Sequence, residues 1–279
     1  MPSRSRSSCS GPEDARAPSG RPGARTLRLL VAYDGTDYCG WQTQPEVPTV
    51  QGVLTRAARA LDAEARLTGA SRTDAGVHAL RQVVSLTTVS TLPADTVMRA
   101  LNATIPLDVR VQEALEARPG FDARREAAGK RYAYLIDAGS VPSPLLRRYA
   151  WHVPQSLDLG AMREALAILR GRHDFSAFCA AAGRAASPIC TVRAVRVWHR
   201  HGRLAIVLSA DRFLHHMVRT IVGCTVTVAK GLHEPDWLAA VLRGRDRTRA
   251  APTAPAHGLT LVRVLYPSSG RAGLGNTPL

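Results

Sequence analysis

Apolar residues in this chain fall into two successive runs of short segments, and the second run echoes the order of the first. The first predicts a strand over 26–33, stopped by Asp34-Gly35, and a helix over 50–63 with Val53, Leu54, Ala57, Ala58 and Leu61 at helical spacing. Leu67 then leads through a turn into a strand over 82–88. Pro93 and Asp95 open a helix that ends near Asn102, and a short strand follows at 109–111. The second run predicts a strand over 131–137, a helix over 157–169 and a hairpin over 191–198 and 204–208, closed by His201-Gly202. A long helix over 213–230, a shorter one over 237–242 and a last strand over 259–265 complete it. A chain built this way is expected to be α+β, with two similar α/β halves over 26–115 and 116–267. No residue-level repeat accompanies this likeness of order. Residues 1–25 read as a disordered tail rich in Arg, Pro, Gly and Ser, and 268–279 as a flexible one.

Charge narrows the partners. The 279 residues carry a formal net charge of +15, and of the 37 basic residues only Lys130 and Lys230 are lysines. Arg presents a planar fork of donors that suits phosphate and stacks on bases, which favours a nucleic-acid partner. A compositional bias of the genome explains Arg over Lys, but not the excess of base over acid. The first 25 residues hold five Arg against Glu13 and Asp14, so most of the excess belongs to the body of the chain. The five cysteines (Cys9, Cys39, Cys179, Cys190, Cys224) are scattered and lack the spacing of a zinc or redox pair, which suggests a reduced, cytoplasmic protein. No apolar run approaches the roughly 18 residues of a membrane span. A phosphate-binding loop followed by Lys-Ser or Lys-Thr is missing, as is a paired His-Glu-x-x-His site, which removes the essential parts of phosphoryl transferases and metallohydrolases.

Chemistry concentrates at Ala70-Ser71-Arg72-Thr73-Asp74-Ala75-Gly76-Val77-His78. Thr73 to Gly76 reads as a tight turn, because Asp favours turn starts and Gly accepts positive φ. Such a turn can hold the Asp74 carboxylate rigidly at the rim of a core; equally, Asp74 can serve only to close the turn. Arg72, two residues earlier, shares a side with Asp74 in extended backbone and is placed to meet a phosphate or plain solvent. Lys130, Tyr132 and Tyr134 share one face of a strand, which suits either core packing or a base. In Phe213-Leu214-His215-His216-Met217-Val218-Arg219, a helix would set the two histidines about 100° apart, a poor arrangement for a metal. Arg219 lies near the start of an otherwise apolar helix.

These stretches, together with Tyr33-Asp34-Gly35-Thr36, Tyr38, Gly40, Trp41 and Gln42 and the late Gly258-Leu259-Thr260-Leu261, resemble the tRNA pseudouridine synthase A family. The likeness spans most of residues 26–266. It departs at Ser71, where the family usually has Gly. The resemblance implies two α/β halves with antiparallel or mixed sheets that meet around a central basic cleft. It implies that Asp74 is the nucleophile, that Arg219 is its ion-pair partner and that Tyr132 stacks on the target base, with Leu259 and Leu261 lining the base pocket. The implied reaction turns uridine into pseudouridine at positions 38, 39 and 40 of the tRNA anticodon arm, in a homodimer that binds tRNA. That isomerisation transfers no external group and has no redox step, so neither cofactor nor metal is expected. Two rivals stand beside it: a basic RNA-binding chaperone without activity, and a synthase acting on another structured RNA.

Overall fold

The computed structural model describes residues 22–180 and 187–267. Expectations for 1–21 and 268–279 therefore concern residues outside the described range, while residues 22–25 lead directly into the first strand. The architecture is mixed α+β, built on one large mixed sheet of ten strands.

Strand β1 (Arg25–Tyr33) pairs antiparallel with both β3 (His78–Thr88) and β4 (Val109–Glu116), and short β2 (Arg66–Gly69) adds to β3. Helices α1 (Val50–Arg59) and α2 (Ala94–Thr104) pack on each other and over β2 and β4. Thr49 caps α1 by accepting from the Gly52 amide at 3.3 Å. Farther along the chain, β5 (Gly129–Asp137) pairs with β9 (Arg203–Ala210), β9 with β8 (Ile189–Arg200), and β8 with β7 (Gly171–Asp174). A two-residue strand, β6 (Trp151–His152), runs parallel to the end of β5. Helices α3 (Leu159–Ala167) and α4 (Met217–Ala229) pack on each other over β8 and β5, with α5 (Asp236–Gly244) beside them.

The last strand, β10 (Leu259–Leu265), joins the two sets. It lies antiparallel to β5, with Leu261 opposite Tyr132, and parallel to β3 through Thr260–His78 and Leu261–Ala79. Where two meeting sheets were expected, the strands therefore form a single sheet with its last strand, β10, near the middle. Its apolar faces and the helices over them enclose one continuous core, from Leu27 and Leu29 to Val226 and Leu238. No helix among the described residues is long and apolar enough to cross a membrane.

Most expected elements form within a few residues of their expected bounds. The strand expected over 82–88 starts four residues earlier, at His78. The helix expected over 213–230 begins only at Met217, because His216 takes a left-handed backbone conformation (φ 63°) that α-helix cannot continue. This shift of one turn bears directly on the site.

Candidate active site

Asp74 stands at the head of the turn between β2 and β3. Its carbonyl accepts from the Val77 amide at 3.2 Å, and Gly76 at the third position has φ +75°. The turn therefore runs from Asp74 to Val77, one residue later than the sequence suggests. Neighbouring backbone braces it from outside: the Trp41 amide donates to the Thr73 carbonyl at 3.0 Å, and the Gly76 amide donates to the Tyr38 carbonyl at 3.3 Å. This approach needs glycine at position 40, where φ is +90° and a β-carbon would come within 2.8 Å of the Thr73 oxygen. Below the turn, fully buried Gln82 grips Ser71 twice, accepting from its amide and donating to its carbonyl. His78 receives the Gly35 amide on Nδ1 and bonds the His257 carbonyl through Nε2 at 3.0 Å. The short segment before β10 is thus tied to the same turn.

From the opposite side comes α4. Arg219 Nη1 donates to Asp74 Oδ2 at 3.1 Å, with side-chain exposures of 15% and 19%. The guanidinium is itself clamped, since its Nε donates to the Ala254 carbonyl at 2.9 Å and the Ala254 amide returns a bond to the Arg219 carbonyl. A partly buried ion pair aligned by a second hydrogen bond fixes a carboxylate far better than an exposed pair would. His215 Nε2 lies 3.5 Å from Asp74 Oδ1, and His216 Nε2 lies 3.6 Å from Oδ2. The expectation that helix geometry splays these histidines fails, because both precede the helix. Their rings lie 4.0 Å apart and face the same carboxylate. Burial depresses the pKa of His216, with His215 and Arg219 adding to the effect against the pull of Asp74.

The cleft around Asp74 has a volume of about 960 Å³. Arg72, Arg124, Arg212, Arg219, Lys130 and both histidines line it, and Asp74 is the only acid among the described residues that do. Partial burial of Lys130 lowers its pKa, and the Arg124 charge lowers it further. Tyr132 also lines the cleft but is only 6% exposed. Its ring meets Phe213 edge-on at 5.3 Å, and its hydroxyl lies 2.9 Å from Ser71 Oγ. Burial pushes the phenol pKa up to about 12; the Ser71 bond opposes that shift and Asp74 adds to it.

Asp74, Arg219, Tyr132, Arg72 and Leu259 thus come together around one cleft, whereas Leu261 is fully buried behind it and is absent from its lining. Strand alternation puts Leu259 and Leu261 on one side of β10, but Leu261 is covered by its pairing with Tyr132. Sequence reasoning missed His215 and His216 as neighbours of Asp74, and Gln82 as the brace of Ser71. A polar Gln inside an apolar strand was the available signal for the brace, since a buried amide must find partners.

The model of a family described as tRNA pseudouridine synthase matches residues 29–124 and 165–267. The chain belongs to that family. Proteins named tRNA pseudouridine synthase A from three bacteria match it over nearly their whole length. The Chloroflexus aurantiacus protein is 46% identical over 248 residues, covering 87% of this chain and 89% of that one. The Myxococcus xanthus protein is 43% identical over 242 residues, covering 86% and 91%. For the Moorella thermoacetica protein the figures are 43% over 244 residues, 86% and 99%. The resemblance drawn from the motifs is borne out, and so is the expectation of an enzyme of this isomerase class.

Proposed function

We propose that the protein isomerises uridine to pseudouridine at positions 38, 39 and 40 of the tRNA anticodon arm, with Asp74 as the nucleophile. The observation that carries this reading is a single carboxylate, ion-paired to a clamped Arg219, in a cleft whose other charged lining residues, among those described, are all basic. A basic cleft attracts the RNA backbone, and one fixed carboxylate supplies the reacting group. The C1′–N1 bond breaks, the uracil turns, and a C1′–C5 bond forms. N1 gains a proton and C5 loses one. Arg72, at the cleft edge, meets a flanking phosphate.

The flipped base stacks on Tyr132 beside Leu259, which requires Phe213 to give way, since so little of Tyr132 is exposed. With its pKa near 12, the phenol enters the reaction protonated. It can take the proton from C5 only by passing its own on, and its hydroxyl partner Ser71 is the first group in reach; otherwise a water takes it. The two halves, 26–115 and 116–267, contribute Asp74 and Arg219 respectively. A homodimer in the cytoplasm, with tRNA touching both subunits, completes the reading on family grounds.

Asp74→Ala, incubated with unmodified tRNA, is expected to bind it within a few-fold of wild type and to form no pseudouridine. Product at the wild-type rate would overturn the assignment. Sequencing of modified sites in a strain lacking the gene separates the substrates: loss at positions 38–40 supports the reading, and loss confined to another RNA redirects it.

A further inference from the structure

We propose that Asp74, His215 and His216 form a binding site for a borderline divalent transition metal such as zinc, and that the metal shuts the enzyme off by occupying its carboxylate. Tetrahedral zinc, with bonds of about 2.0–2.2 Å to imidazole and carboxylate, spaces its ligand atoms roughly 3.3–3.5 Å apart. His215 Nε2 is 3.5 Å from Asp74 Oδ1 and His216 Nε2 is 3.6 Å from the other oxygen, Oδ2, and one donor atom from each of the three residues lies within 4.8 Å of the others. Small side-chain movements therefore suffice to close three ligands around an ion.

Three features support a built arrangement. The left-handed backbone at His216 keeps both histidines out of α4, and their imidazoles, 4.0 Å apart, both stand beside the Asp74 carboxylate. Beyond Asp74, neither imidazole has a hydrogen-bonding side chain among the described residues to hold it elsewhere. The site also opens on the cleft, leaving a fourth position for water, as three-ligand zinc sites do. Two nitrogens and one oxygen select zinc, copper or nickel over magnesium, which demands oxygen ligands in an octahedron. The magnesium that accompanies folded RNA is therefore no competitor. Arg219 opposes the ion, because its guanidinium already shares Asp74 Oδ2. That opposition makes the site weak enough to be reversible, and it yields an unusual expectation: removing a positive charge tightens metal binding.

Binding itself does not depend on the role of Asp74; only the inhibition rests on the reading of Asp74 as the reacting carboxylate. The test titrates zinc sulfate into the full-length protein carrying Cys39→Ser, which removes an exposed thiol from the cleft, with magnesium chloride as control. One equivalent of zinc is expected to bind. The affinity should fall by about tenfold or more in His215→Ala, and again in the His215→Ala/His216→Ala double variant. It should rise by about tenfold in Arg219→Met. Circular dichroism checks that each variant folds, and His215→Ala serves alone if the double variant does not. No binding, an affinity indifferent to His215, or one that weakens in Arg219→Met would overturn the proposal. Zinc should also suppress pseudouridine formation, reversibly with a chelator. Binding as described with pseudouridine formation untouched would leave the site standing and remove Asp74 from the chemistry.

Discussion

The Tyr132 hydroxyl meets Ser71 Oγ at 2.9 Å and its ring stands edge-on to Phe213, so the side chain is held at its polar tip and along its flank. Ser71 in turn is fixed by Gln82, and Asp74 lies three residues farther along the same backbone. One short segment thus sets both the carboxylate and the ring that reads the base. If the ring matters through its π-face, Tyr132→Phe should keep most of kcat/KM, and Tyr132→Ala should lose what a stacked base is worth. That is about 1–3 kcal/mol, or roughly 5–150-fold. Equal losses in the two variants would shift the role from ring to hydroxyl. Because burial holds the phenol near 12, the rate should also show no inflection due to Tyr132 around pH 10, where an ordinary tyrosine ionises. An inflection at that pH that vanishes in Tyr132→Phe would mean that the ring is less enclosed in solution than in this structure.

Helix α4 positions Arg219, and its own seat depends on Gly223 one turn later. A β-carbon there would fall 2.1 Å from the Pro252 carbonyl oxygen, on the segment whose Ala254 clamps the guanidinium. Gly223→Ala gains up to about 1 kcal/mol in helix propensity but overpacks a backbone contact, which typically costs about 1–3 kcal/mol or more. The variant should therefore melt several degrees lower, and its activity should fall further than its folded fraction. An unchanged melting temperature would show that Pro252 moves aside freely. The same helix marks what could be read from sequence. Its apolar face was plain from Met217, Ile221, Cys224 and Val228, all buried. Its start was not, because nothing in Phe213 to His216 announces a left-handed histidine, and the two imidazoles beside Asp74 were lost with it. β2, β6 and β7 escaped notice for another reason: four residues or fewer are too short to display alternation. Asp74, Arg219 and Tyr132 were legible through their motifs. The Ala254 clamp and the Gln82 brace depend on contacts between distant segments, which no local pattern encodes.

Across the whole molecule, β3 and β10 are joined in register at only two residue pairs, Thr260–His78 and Leu261–Ala79, so loops beside that seam also help to hold the two sides of the cleft. One is the Asp34 loop. Tyr149 donates its hydroxyl to Asp34 Oδ2 at 2.8 Å, Arg148 lies 3.5 Å from Asp37, and the Tyr149 ring packs against His78. Asp34 also accepts from the amide and hydroxyl of Thr36. Partial burial is the largest single influence on this carboxyl and pushes its pKa up. The Thr36 hydroxyl and amide, the Tyr149 hydroxyl and the His78 ring together outweigh it, so the net shift is downward. A carboxyl depressed in the folded state contributes stability that is fully present above its unfolded pKa of about 3.9. That contribution is lost as the pH falls through the lower, folded value. Asp34→Asn should thus be less stable than wild type at pH 7 and lose less on acidification, so that the urea midpoints of the two proteins converge below about pH 4. Midpoints that fall in parallel from pH 7 to pH 3 would mean that protonation of Asp34 is not linked to folding. If the loop also steadies the cleft, Tyr149→Phe should lower pseudouridine formation at pH 7 without touching a residue that lines it. That loss would come from the Asp34 loop loosening the turn it braces, through His78, whose Nδ1 lies 3.1 Å from Asp34 Oδ1 and receives the Gly35 amide, and through Tyr38, which bonds both Gly35 and Gly76.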